Sequence, residues 1–493
     1  MSSRREFLKL AAQAGTLLAM PVVARARETA DATGIELNDV QSQLNATRVH
    51  RVVQPTDLDS IQSAVREAAR EDRAISIAGG RHAMGGQQFG RDTLHFDMTH
   101  FNRVVHFDKR TGQIEVEGGI QWPELIDFLN RQQVNERDQW AIHEKQSGVD
   151  RVTLAGSLAS NIHGRALALP PIIGDVESFQ LVDASGQLRS CSRTENQELF
   201  SLAIGGYGLF GIITHVTLRL VPRTKLERVV DVIAVKDLLP RVDERIRDGF
   251  LYGDCQYSTD LGMEPEEHGG VFSCYRPVAW DTPMPTEKKQ LADDDWMELY
   301  RLARTDKKQA WEKYSSYYRT TSGQIYWSDL HQLAGSFDSY RRAVDPRQGT
   351  EVITEIYVGR ENFLPLMSAC RRDFLEHDVD MTYGTIRFIE RDDESFLNWA
   401  RERSVCIICN LHVRHTAAGI EKAKQDFRRI IDRAIEFGGR YYLTYHRWAL
   451  RRQVEACYPQ FVDFLKLKKE YDPQQRFQSD WYRHFTRMFV DKL

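Results

Sequence analysis

Residues 153–164 read Thr-Leu-Ala-Gly-Ser-Leu-Ala-Ser-Asn-Ile-His-Gly, and the rest of the chain is best read outward from this run. Ala155, Gly156, Ser157, Ala159 and Ser160 crowd together ahead of His163 and Gly164. Side chains this small let backbone approach a large flat or phosphorylated ligand. Upstream lies a second loop of the same kind, Ala78-Gly79-Gly80-Arg81-His82-Ala83-Met84-Gly85-Gly86-Gln87. Downstream lies a third, Gly205-Gly206-Tyr207-Gly208-Leu209-Phe210-Gly211. Three backbone-exposing loops in one region point to a single large ligand lying in a groove. A Rossmann dinucleotide domain does not explain them, because no GxGxxG opens a βαβ unit early in the chain.

The length of 493 residues argues for more than one domain with ample buried core. With 42% hydrophobic and 28% charged residues and a net charge of −4, nothing calls for a nucleic-acid partner. No internal apolar run is long enough to span a bilayer. The seven cysteines, at 191, 255, 274, 370, 406, 409 and 457, are odd in number and irregularly spaced, so they form no disulfide framework. Cys406-Ile-Ile-Cys409 has redox or zinc spacing, but it sits inside an apolar strand-like run and no second CxxC partners it. Buried structural thiols are the reading preferred there. His412 and His415 read as structural, and no metal site is expected, a cluster of His412, His415 and His446 being disfavoured.

The N-terminus reads as a secretory signal over residues 1–26: Arg4-Arg5-Glu-Phe-Leu-Lys, an apolar stretch, then the small-x-small site Ala24-Arg25-Ala26. The pattern resembles a twin-arginine signal and implies a periplasmic protein exported by that machinery after it has taken up its cofactor. A basic, partly helical arm is the alternative. A polar linker is expected over 27–45.

From 46 to 224 short strands alternate with helices at 57–70, 122–132 and 196–203. Strands are expected at 74–78, 94–98, 114–120 and 212–221, and 176–188 reads as strand, a turn at Ser185-Gly186, then strand. Over 225–465 the helices become longer and more charged, one being expected across 286–312. Others are expected at 364–376 and 420–437, between strands at 350–358, 383–389, 405–413 and 440–445. This pattern predicts a substrate or cap domain with an antiparallel sheet and flanking helices. A C-terminal segment, 466–493, carries Tyr471-Asp-Pro-Gln-Gln-Arg-Phe and is expected to return to the first domain.

The ordered set of motifs resembles the FAD-binding domain of the vanillyl-alcohol oxidase and p-cresol methylhydroxylase (PCMH) superfamily, nearest to the aldonolactone and alditol oxidases and decaprenylphosphoryl-ribose oxidase. The match covers roughly 50–222 and the C-terminal Asp-Pro segment. The resemblance implies an α+β fold, with a two-part FAD-binding domain and a cap. It also implies that Gly79, Gly80, Arg81, Gly85, Gly86 and Gln87 hold the FAD pyrophosphate through backbone N–H groups. His82 stands where many members bond a histidine covalently to the flavin. Thr153, Gly156, Ser157, Ser160, Asn161, His163 and Gly164 would line the flavin and pyrophosphate, and Ile212 or Ile213 would meet the adenine or ribose.

In the polyol and lactone oxidases a Glu-x-Arg strand faces the flavin. Here it reads Thr385-Ile386-Arg387, so the arginine is kept and the glutamate is not. Arg387 would stabilise the reduced flavin or orient a substrate hydroxyl, or else pair with Glu355 or Glu390. The family's catalytic lysine is replaced by Tyr445, followed by His446. Either can act as base, with Tyr445 preferred, and alternation along a strand lets only one of them face the flavin.

The implied function is FAD-dependent oxidation of a CH–OH group on a sugar-like or other small polar molecule, with dioxygen or a periplasmic acceptor reoxidising the flavin. Two alternatives are a C=C reductase of the delta-24 sterol reductase type and a non-catalytic flavin electron carrier.

Overall fold

The computed structural model describes residues 34–262, 268–334, 345 and 347–493. The proposed signal, 1–26, and the first part of the proposed linker lie outside the described residues.

The first region is built on two larger sheets, with two two-stranded ones beside them. Arg51–Val53, Leu94–Asp97 and Ile75–Ala78 form a three-stranded parallel sheet with Leu94–Asp97 in the middle. The helix Leu58–Arg70 covers it, capped by the Asp57 carboxylate, which accepts the Ser60 N–H. Its Ile61, Ala64, Val65 and Ala68 repeat at helical spacing and are buried. A five-stranded antiparallel sheet follows, in the order Leu188–Ser192, Val176–Val182, Ile212–Arg219, Gln113–Glu117, Val104–Asp108. The helix Trp122–Gln132 buries Trp122, Leu125, Ile126 and Leu129, with proline in its first turn.

The second region is an eight-stranded antiparallel sheet. Its order is Ile325–Trp327, Lys225–Ala234, Gly269–Val278, Tyr252–Tyr257, Met381–Ile389, Ser404–Arg414, Gly349–Gly359, Arg440–Tyr441. One face is apolar: Ile407, Cys409 and Tyr257 meet Met367, Cys370 and Phe374 of the helix Phe363–Glu376. All seven cysteines are free and buried. The fold is thus the expected α+β arrangement of a two-part first domain and a sheet-based cap.

Three local expectations change. The helix expected across 286–312 is two helices, Asp293–Thr305 and Lys307–Arg319, broken at Asp306, whose carboxylate caps the second by accepting the Gln309 N–H. The strand expected over 440–445 stops at Tyr441. Residues 34–45 are not a free linker. Ile35–Leu37 pairs with Thr47–Val49, and the buried Asp39 carboxylate accepts N–H groups of Gln41, Ser42 and Gln43.

The C-terminal segment extends the parallel sheet. Ile75 N–H donates to Arg476 O and Gln478 N–H donates to Ile75 O. The Arg476 guanidinium caps Ala68 O and Arg73 O at the end of the first helix. Among the described residues no helix is long and apolar enough to cross a membrane.

Candidate active site

The first glycine loop and the 153–160 segment pack against each other and wall a cavity of about 1080 Å³. Its small-residue lining lets backbone approach a flat, extended ligand. The packing explains the glycines. A Cβ on Gly79 would lie 2.0 Å from Thr153 Oγ1, and one on Gly80 would lie 2.1 Å from Arg151 O. Residues 154–160 are a short helix rather than a loop, opened by Thr153, whose hydroxyl accepts the Gly156 N–H. Its Ala155, Gly156, Ala159 and Ser160 face the cavity. Tyr207, Gly208, Gly211 and Ile213 form a further side, and Ile353, Thr444 and Tyr445 from the second region close it. The conformation of the third loop requires its glycines, with φ of +77° at Gly205 and +73° at Gly208.

Ten of the residues singled out in the sequence line this cavity: Gly79, Gly80, Arg81, His82, Gln87, Thr153, Gly156, Ser160, Ile213 and Tyr445. The others are turned elsewhere. Gly85 and Gly86 lie behind the loop, and the Gly86 Cβ position is filled by Arg447 Nη1, 2.7 Å away. Gln87 Nε2 donates to Leu443 O and Thr444 O, both at 2.8 Å, so it ties the loop to the second region. Ser157 Oγ accepts from Trp122 Nε1. Asn161 donates to Asp392 and Ser395 and accepts the Ile173 N–H. Gly164 N–H donates to Glu144, and Ile212 belongs to the core of the parallel sheet. Apart from Gln87, these residues shape the walls without lining the cavity.

His82 faces the cavity with its imidazole held neutral. Burial and then Arg81 lower its pKa to about 4, against the opposing pull of Asp150. A neutral ring keeps the lone pair that a bond to flavin carbon needs. The cradle of small residues and this histidine both fit FAD.

The second wall is the polar face of the eight-stranded sheet. Residues paired across antiparallel strands share a face, and so do residues two apart on a strand. Cross-strand register therefore places three rows side by side. The first is Tyr383, Asn410, Ile353; the second Gln256, Thr385, Ile408, Glu355; the third Arg387, Cys406, Tyr357. Ile353 belongs to the flavin cavity, so the whole face adjoins it.

Glu355 is the centre of this wall and is only 3% exposed. It accepts from the Tyr445 hydroxyl in a short hydrogen bond and from the Tyr357 hydroxyl at 2.8 Å. His163 Nε2 lies 2.9 Å from it, and Cys406 Sγ 3.7 Å. Burial pushes its pKa up, but His163, Arg387 and the Tyr445 hydroxyl together hold it down to about 2, so it stays ionised. Burial and Glu355 in turn push the Tyr445 phenol well above its usual value. Tyr445 is thus a proton donor at rest and not a phenolate base.

His163, read in the sequence as a flavin contact, serves this carboxylate. Metal-type ligand atoms of His163, Glu355 and Cys406 lie within 4.8 Å of one another, already joined by these contacts.

His446 is removed from the cavity. The chain turns after Tyr441, and the imidazole packs on Phe427 and stacks on Trp448, with ring centroids 4.2 and 4.9 Å away. Burial and then Arg428 lower its pKa to about 3. Arg387 is 8% exposed and makes no ion pair with Glu390, which pairs with Arg403 at 2.8 Å; it acts on Glu355 at longer range.

Sequence reasoning named Glu355 only as an ion-pair partner. The available signal was its position in Gly349–Gly359, where Glu351 and Glu355 interrupt an otherwise apolar strand.

The FAD binding domain family matches residues 49–192, and the D-arabinono-1,4-lactone oxidase family matches residues 377–485. L-gulono-1,4-lactone dehydrogenase of Mycobacterium tuberculosis (strain ATCC 25618 / H37Rv) is 23% identical over 441 residues, 88% of this chain and 95% of that protein. L-gulonolactone oxidase of Bos taurus is 25% identical over 194 residues, 39% of this chain and 42% of that protein. An uncharacterized oxidoreductase of the fasciation locus of Rhodococcoides fascians is 32% identical over 170 residues, 34% of this chain and 37% of that protein. The two family matches bracket the two walls of the cavity: the small-residue cradle falls in the first and Arg387 and Tyr445 in the second. In both regions, then, the chain is similar to FAD-dependent aldonolactone oxidases and dehydrogenases.

Proposed function

We propose that this protein oxidises a secondary CH–OH group of a sugar-derived polyhydroxy substrate, of the class to which aldonolactones belong. The observation that carries this reading is the Tyr445–Glu355 hydrogen bond at the edge of the cofactor cavity. FAD bound in the cavity supplies the acceptor for the hydrogen and electron pair of the substrate C–H bond.

The protein's share is the second proton. Converting CH–OH to C=O also releases the hydroxyl proton. Tyr445 accepts it at its phenol oxygen while passing its own proton to Glu355. The carboxylate is ionised, and its low pKa means that it holds the proton only in passing; His163 and Tyr357 fix its position. A relay of this kind requires no free phenolate. It is worth roughly 10²–10⁴ in rate, as for other positioned acid–base groups. Arg387, on the same face, orients the oxygen that becomes the carbonyl and stabilises charge building there.

The test is anaerobic mixing of the yellow protein with a panel of sugar lactones, aldonates and polyols. Bleaching of the flavin by one of them, with formation of the matching carbonyl product, is the expected result. Bleaching only by a protein redox partner would overturn the reading in favour of an electron carrier.

A covalent bond from His82 to FAD belongs to the same proposal. Acid precipitation should leave the yellow colour in the protein pellet, and His82→Ala should release it to the supernatant. Free flavin from the wild type would rule the bond out. The proposal also includes twin-arginine export to the periplasm, with dioxygen or a periplasmic acceptor reoxidising the flavin; recovery of the protein only from the cytoplasm would reject it.

A further inference from the structure

The polar sheet face carries more positive charge than a neutral substrate needs. Arg165 follows directly on the 153–164 run, and Gly253 N–H donates to its carbonyl, which seats it beside the strand Tyr252–Tyr257. Arg228 lies on the same side of the sheet, since its register partner Tyr275 is also the partner of Tyr252. Its guanidinium stacks over Tyr318 at 4.8 Å and Tyr275 at 5.6 Å, and donates to Ser273. Arg387 completes the set: Tyr383 is under the influence of both Arg165 and Arg387, and Arg165 under that of Arg228.

Among the described residues no carboxylate forms a direct ion pair with these three cations, Asp254 and Glu355 acting on Arg165 and Arg387 only at longer range. Asp254 faces Arg165, Lys145 is paired with Asp150 at 2.9 Å, and Glu355 is engaged by His163, Tyr357 and Tyr445. Among the described residues, Nε of Arg165 and Nε of Arg387 are buried without a hydrogen-bond partner, and Arg387 as a whole is more than nine-tenths buried. A buried guanidinium left in this state loses its hydration and gains nothing in return unless a ligand pairs with it. None of the three arginines lines the cavities on this face, but Tyr383, which both Arg165 and Arg387 influence, lines the nearer one. That second cavity is lined by Gln256, Tyr300, Tyr314 and Tyr383 and carries one cation, Lys307, and one acid, Glu351. Tyr383, Asn410 and Ile353 form one register row running from this cavity to the flavin cavity.

We propose that the substrate is an anionic polyol, and that Arg165, Arg228 and Arg387 bind its acidic group while the reacting CH–OH is held at Tyr445. This rests on the oxidation proposed above and narrows its substrate class from neutral lactones to sugar acids or sugar phosphates. A planar guanidinium matches both carboxylate and phosphate oxygens, which is why either anion suits the site.

Binding is read from the flavin absorbance spectrum of the holoprotein titrated anaerobically with L-gulonate, L-gulono-1,4-lactone and 6-phosphogluconate. At least one acid should bind roughly ten-fold or more tightly than the lactone, and the stronger acid identifies carboxylate or phosphate as the recognised group. In Arg165→Gln, affinity for that acid should fall roughly ten- to hundred-fold, with flavin content and lactone affinity unchanged. Lactone binding as tight as either acid, no binding by both acids, or loss of FAD from Arg165→Gln would each overturn the proposal. The two readings separate cleanly. Bleaching by neutral polyols alone would leave the oxidation standing and remove the anion site. Acid binding without bleaching by any CH–OH compound would do the reverse.

Discussion

The two walls of the cavity are made of different material. The wall from residues 78–84, 153–160 and 207–213 is backbone and small side chains, drawn from a few continuous segments. The wall from the eight-stranded sheet is side-chain chemistry, with Glu355, Arg387 and Gln256 on separate strands and Tyr445 beyond the last of them. The first wall is defined by what it excludes, the second by the charge it carries. Substitutions should therefore fail differently. An added atom should ruin the first wall, whereas the second should accept an isosteric change and lose rate.

The largest effect is expected at the first wall. Gly80→Val places a branched side chain against the Arg151 carbonyl, 2.1 Å from its Cβ, and neither backbone can yield cheaply. Overpacking of this kind costs about 1–3 kcal/mol, and the loop must move to relieve it. The purified variant should carry less than a tenth of the wild-type flavin by absorbance. Normal flavin content would mean that the loop is not the rigid half of the site.

The next effects sharpen the second wall. Glu355→Gln keeps the shape and hydrogen-bonding capacity and removes the charge, so flavin content should stay normal while flavin reduction slows by roughly 10²–10⁴. Tyr445→Phe breaks the same proton path, so the double variant should be little slower than the worse single one. Multiplicative effects would show that the two residues act separately.

A smaller effect, on stability alone, distinguishes the acids of the two regions. Burial raises the pKa of Glu144, beside the first wall, and of Glu351, at the far end of the sheet, to about 7 from an ordinary 4.5. Below about pH 4.5 both groups are protonated whether folded or not, and they cost nothing. From there to about pH 7 the unfolded chain loses protons that the folded one keeps, so stability falls as pH rises. Glu355 has the opposite sign: its contribution is present above pH 4.5 and is lost as pH falls toward about 2. Glu144→Gln should flatten the decline in thermal midpoint between pH 4.5 and 7, and Glu355→Gln should leave that decline in place. An unchanged slope in Glu144→Gln would place the titration elsewhere.

The same contrast explains what could be read in the sequence. Glycine and small-residue runs are local, so the 79–87 and 153–164 segments disclosed the cofactor wall directly. Local reading still overreached at Asn161, His163 and Gly164. Their side chains or amides turn away to Asp392, Glu355 and Glu144, which are distant in sequence or hidden by burial. The sheet wall depends on register between distant strands, such as Gln256 opposite Thr385, which no single segment records. Glu355 therefore read as an acid in an apolar strand. The preference for Tyr445 over His446 rested on strand alternation, yet the strand ends at Tyr441, and it is the turn that aims the phenol at the carboxylate.

The central claim is that a carboxylate on the sheet wall takes up, through Tyr445, the proton released when a CH–OH group is oxidised. Rapid anaerobic mixing of wild type and Glu355→Gln, matched for flavin content, with the best reductant from the sugar lactone and aldonate panel tests it most directly. The account predicts a carbonyl product from the wild type and flavin reduction at least about 100-fold slower in the variant. Equal rates in the two proteins would contradict it.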